Sequence, residues 1–175
     1  MRIAIILLFI STTLISFGQS NISTEWTDKE TKQYKTLVDL AKYVYRKGKT
    51  EISKDLLFER YIEFNYVLND TSTTRIKKRI ESFDTLFYYF RKPIDSLGVD
   101  NLDARPIRFY KNHEIYKPFE EQLAQIAPDV FVYFEKGKPD EPKGTLWFDP
   151  KSNKLIAWIL LNQGGTRYFL SFNLM

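Results

Sequence analysis

The chain contains a single histidine, His113, in the triplet Asn112-His113-Glu114. An imidazole beside a carboxylate is what a general base needs: the acid orients the ring and the ring takes the proton. The same triplet also suits an exposed loop, since turn-forming residues flank it. No Gly-x-Ser-x-Gly elbow presents a nucleophile to His113. His113 with Glu114 is therefore the one candidate catalytic pair, for a small hydrolase, and a solvent-facing loop is the alternative.

Acidic residues suggest a metal only at first sight. Glu120-Glu121 are adjacent, and neighbours on a helix point in different directions. Their place at an expected helix start is explained by the helix dipole. Asp95, Asp100 and Asp103 miss the spacing of a calcium loop, which needs ligands at positions 1, 3 and 5 with Gly at 6. With no cysteine and one histidine, thiolate sites, multi-histidine sites and disulfides are excluded. No metal and no cofactor is expected.

The densest charge is Arg75-Ile76-Lys77-Lys78-Arg79. Ile76 belongs to an apolar stripe, so the cations form the solvated side of an amphipathic helix. The net charge of +4 falls to +3 once Arg2 is removed with a leader, too little for a nucleic-acid footprint. Asn162-Gln163-Gly164-Gly165-Thr166-Arg167 lacks the spacing of a phosphate loop. The glycine pair fits a hairpin turn. What the composition has in excess is aromatic residues, 16% of the chain. Tyr43, Tyr45, Tyr66, Tyr88 and Tyr89 lie off or beside the helical stripes. Tyrosine joins apolar bulk to a polar tip, so these residues suit either a ligand or partner surface or the wet edge of a core.

The elements that position these residues follow from punctuation. Residues 1–18 have a positive start, an apolar run from Ile3 and small residues at Ser16 and Gly18. That is the pattern of a secretory signal peptide cleaved after Gly18. It is too short and too rich in Ser and Thr for a span of about 20 apolar residues, and no later segment qualifies. Residues 19–175 are expected to form one domain. All seven prolines lie between Pro93 and Pro150, so residues 19–91 are open to long helices, 92–128 form a mixed connection, and 129–175 turn to β.

Thr27-Asp28-Lys29-Glu30 predicts a capped helix start, with Tyr34, Leu37, Ala41 and Val44 on one face and Gly48 as its stop. Leu57, Tyr61, Phe64 and Leu68 predict a second helix, broken at Asn69 to Ser72. Ile76, Ile80, Phe83, Phe87 and Phe90 predict a third, ending near Arg91 before Pro93. Arg105 to Tyr110 reads as an edge strand. Pro118 reads as the start of a short helix that Pro128 ends. Strands are expected at Val130 to Glu135, Thr145 to Asp149, Leu155 to Leu161 and Thr166 to Asn173. The third of these is apolar on both faces, as a central strand covered twice would be.

The predicted class is α+β: about three N-terminal helices on one face of a four- to five-stranded antiparallel meander. This element order resembles the cone-shaped folds of the cystatin and nuclear-transport-factor type. The resemblance uses no diagnostic motif, and no functional residue is carried across from it. The expected function is that of an exported protein, periplasmic or secreted, binding a protein or an apolar small ligand without catalysis. A small hydrolase using His113, and a structural subunit of an envelope assembly, are the alternatives. No nucleic-acid partner is expected, nor a membrane span after cleavage.

Overall fold

The computed structural model describes residues 25–46, 52–64 and 73–171. The expected leader over residues 1–18, Gly48, Tyr66, Leu68 and the break at Asn69 to Ser72 lie outside these residues. The capping box forms as its residues demand. Glu30 donates its N–H to Thr27 Oγ1 at 3.1 Å, and Glu30 Oε2 accepts the Thr27 N–H at 2.7 Å. Helix α1 then runs Asp28–Arg46. Tyr34, Leu40 and Val44 are buried from it, with Leu37 and Ala41 packed alongside.

The second helix is shorter than its spacing predicts. Helix α2 covers only Lys54–Arg60, with Ser53 Oγ capping the Leu56 N–H. Ile62 leaves the helix to bridge Leu155 in parallel. Leu155 donates to the Tyr61 carbonyl at 2.8 Å, and Glu63 donates to the Leu155 carbonyl at 2.9 Å. An open sheet edge carries unpaired N–H and C=O groups; covering it, and burying Ile62 and Phe64, outweighs one more helical turn.

The third helix is longer than expected. Helix α3 spans Thr73–Leu97 and runs through Pro93 instead of stopping before it. Phe83, Phe87 and Phe90 are buried, and Ile80 packs against them. Successive rings stack, with centroids 5.3 Å apart for Phe83–Phe87 and 5.7 Å for Phe87–Phe90. Pro93 removes the N–H that the Tyr89 carbonyl would accept. The next turn carries Ile94, only 3% exposed, and its burial offsets the lost bond.

Strands β1 (Leu102–Pro106), β2 (Val130–Glu135), β3 (Pro142–Phe148) and β4 (Leu155–Ala157) pair antiparallel in chain order. The chain is thus α+β, with helices on an antiparallel sheet, and a separate hairpin follows. Further sequence expectations need correction. The strand placed at Arg105 to Tyr110 begins earlier, at Leu102, and Pro106 ends it, because proline has no N–H to extend a ladder. Ile107–Tyr110 is a 3₁₀ turn. The helix expected from Pro118 to Pro128 is α-helical only over Lys117–Glu120, and a 3₁₀ turn takes up its end at Ala127–Asp129. Between the two, Gln122 bonds the hairpin instead, through Nε2 to the Gly165 carbonyl at 3.1 Å and Oε1 from the Arg167 N–H at 2.6 Å.

The strand expected over Leu155 to Leu161 divides in two. β4 ends at Ala157, and Trp158 swings its indole N–H onto the Leu86 carbonyl of α3 at 3.0 Å. The chain then enters the hairpin of β5 (Leu160–Gln163) and β6 (Thr166–Phe169). Gly164 and Gly165 make its turn with φ of 59° and 86°, the left-handed pair that a two-residue hairpin requires. The strand covered on both faces is β2. Phe131 packs with the helices, while Val130, Val132 and Phe134 pack with Ile107, Phe119 and Phe169 in a second core.

Candidate functional site

A cavity of about 540 Å³ opens where α1, α3, the start of β1, the facing ends of β2 and β3, and the 158–160 turn meet. Its wall is mostly apolar. Leu37, Val38 and Ala41 come from α1, Phe90 and Ile94 from α3, and Trp158 from the turn. Small-molecule pockets commonly measure about 300–1,000 Å³ and combine such walls with a few placed polar groups.

The polar groups come from three places. Tyr34, on the first turns of α1, donates its hydroxyl to Asp103 Oδ1 at 2.8 Å, and Ala104 donates its N–H to the same oxygen at 2.8 Å. Burial first, then the Asp103 charge, pushes the Tyr34 hydroxyl far above the ordinary tyrosine value, so it stays a donor. Tyr133 sits opposite Gly144 across the β2–β3 ladder. A Cβ on Gly144 would stand 2.6 Å from Tyr133 Cε1, so the absent side chain lets the ring lie flat over β3. Burial raises the Tyr133 hydroxyl. The third group is cationic: Lys42, Lys136 and Lys143 all belong to the wall, as does Asp100.

Of the residues singled out in the sequence, His113 is held away from this cavity. Its Nδ1 accepts the Ile115 N–H at 3.1 Å, capping a 3₁₀ turn, and its ring meets Tyr110 edge-on. Glu114 is exposed, and among the described residues no carboxylate bonds the imidazole. Of the acids, Asp103 enters the cavity floor, Asp95 pairs with Arg91 at 3.6 Å, and Glu120 and Glu121 are exposed. Among the described residues no group of three His, Asp or Glu side chains is placed to hold a metal. No helix among them is long and apolar enough to cross a membrane.

The tyrosines divide. Tyr43 stacks on Tyr61 with centroids 5.8 Å apart and accepts the Ser53 N–H at 3.2 Å. Tyr45, Tyr88 and Tyr89 are 50%, 60% and 53% exposed. Lys92 Nζ lies 5.0 and 4.9 Å from the Tyr88 and Tyr89 ring centres, and Tyr89 also borders the cavity. Tyr66 lies outside the described residues. Tyr34, Tyr133, Lys42 and Lys136 were not predicted as site residues. Tyr34 carried a partial signal as a polar-tipped residue in an otherwise apolar stripe. Tyr133 and Lys136 are brought to the site by register across β1, β2 and β3, and Lys42 by the packing of α1 on that end of the sheet, neither of which local spacing encodes. No family model matches the chain, and neither the curated proteins nor the solved structures give a match.

Proposed function

We propose that this is an exported, non-catalytic binding protein that holds an apolar small ligand between its helices and its sheet. The observation that carries this reading is the cavity of about 540 Å³ walled by α1, α3 and the sheet. An apolar wall gains about 25 cal/mol for each Å² of ligand surface it takes from water. The engaged Nδ1 of His113, which no carboxylate among the described residues bonds, weighs against the hydrolase reading. The likeness in element order to cone-shaped folds agrees with a cavity between helices and sheet, and no residue is assigned from it.

Two masses test the proposal on protein isolated from its own host. The denatured mass is expected to correspond to a chain starting at Gln19. The native spectrum is expected to carry extra mass that leaves on denaturation. Ala41→Phe, which places a ring in the wall, is expected to abolish that extra mass with the circular dichroism unchanged. A bare native protein that also takes up no apolar probe would end the binding reading, and an intact Met1 would end the export reading.

A further inference from the structure

The charge at the cavity mouth specifies more than an apolar ligand. We infer that the ligand is a single-chain amphiphile with an anionic head, of the fatty-acid class; this rests on the binding reading above. Register gathers the relevant groups at one end of the sheet. Leu102 faces Glu135 and Tyr133 faces Gly144, so Asp100, Lys136 and Lys143 stand where β1 begins, β2 ends and β3 begins. Lys42 joins the wall from α1, on the same face as Tyr34 and Val38.

Each charge on this rim has a different status. Asp103 is engaged by Tyr34 and Ala104. Lys143 lies 4.0 Å from Glu135, which Lys138 also approaches at 3.1 Å. Asp100 is exposed and is the one opposing carboxylate of the wall without a bond to its neighbours among the described residues. Lys42 and Lys136 have no ion-pair partner among the described residues. The Tyr133 hydroxyl likewise has no hydrogen-bond partner there, and burial keeps it protonated. Two ammonium groups on flexible stems and one phenol donor suit a carboxylate that remains at the mouth while its chain enters the wall. A neutral chain would leave those donors to water, and a cationic head would meet like charge.

The test uses the mature protein with dodecanoate, dodecanol and dodecyltrimethylammonium, followed by calorimetry and by tryptophan fluorescence, to which Trp158 in the wall contributes. Dodecanoate is expected to bind about five- to tenfold more tightly than dodecanol at low salt, the scale of exposed charge pairs. That margin is expected to shrink as salt rises. The double variant Lys42→Gln/Lys136→Gln is expected to remove the margin between dodecanoate and dodecanol. Equal or tighter binding of dodecanol, or tighter binding of the cation, overturns the anionic head and leaves the cavity reading standing. Absence of binding by all three overturns both. Retention of the margin in the double variant overturns the role given to the two lysines and with it the inference.

Discussion

Glu30 is 5% exposed and its two carboxylate oxygens serve several donors at once. Oε2 closes the capping box, and Oε1 accepts Arg108 Nε at 2.7 Å while Arg108 Nη2 reaches Oε2 at 3.1 Å. Burial by itself would raise the carboxyl; the Arg108 and Thr27 bonds outweigh it and hold it below its ordinary 4.5. A depressed pKa means that the unfolded chain takes the proton more readily. The contribution is therefore complete above about pH 4.5 and is lost as pH falls through the lower folded value. Glu30→Gln should cost about 1–3 kcal/mol at neutral pH. Urea titrations across pH should show that gap narrowing in acid; a constant gap would mean that Glu30 acts only through its shape. Half of this arrangement was legible: Thr27 and Glu30 are three apart, whereas Arg108 lies 78 residues away. Gly144→Ala belongs to the same scale. Its Cβ must displace the Tyr133 ring, so stability should fall by about 1–3 kcal/mol, and dodecanol titrations should show weaker uptake. Unchanged uptake would separate Tyr133 from the site.

At the scale of elements, α3 is where local pattern was most informative and where it also failed. The 4, 3, 4, 3 spacing of Ile76, Ile80, Phe83, Phe87 and Phe90 identified the inward face of the helix, with the three phenylalanines buried and the two isoleucines half-buried. Phe83→Ala should accordingly cost about 3–5 kcal/mol in chemical denaturation; a cost under about 1 kcal/mol would mean that the stripe is not core. Pro93 was read as a stop because proline lacks the helical donor, and tertiary burial of Ile94 overrode that preference. Replacing Pro93 by Ala restores an N–H for the Tyr89 carbonyl and should raise stability by about 1–2 kcal/mol, part of the helix-interior penalty of proline. A destabilised variant would show that the ring's packing against the cavity matters more than the missing bond. α2 and the 155–161 segment were misread for a related reason. Their local periodicities are sound, but Ile62 and Trp158 each leave the regular element for a partner remote in sequence.

For the whole molecule, the class was legible and the closure was not. A proline-free first half and a β-rich end announce helices followed by an antiparallel sheet. Which strand lies innermost depends on what covers each face, and β2 gained that place because the 107–129 connection and β6 pack on its second side. The candidate cavity is likewise a product of assembly, its wall drawn from both ends of the chain. The bridge between Ile62 and Leu155 has a further consequence for how such a chain is made. Gln33 waits for Asp129, 96 residues later, and the α2 exit waits for β4. The early helices can pack on one another, as Phe58 does on Phe83, but these two links close only when most of the chain has been made, and links so distant in sequence form slowly. For the export proposed above, a chain whose α2 exit cannot lock before β4 is made would still be open at that point when it meets a translocation channel.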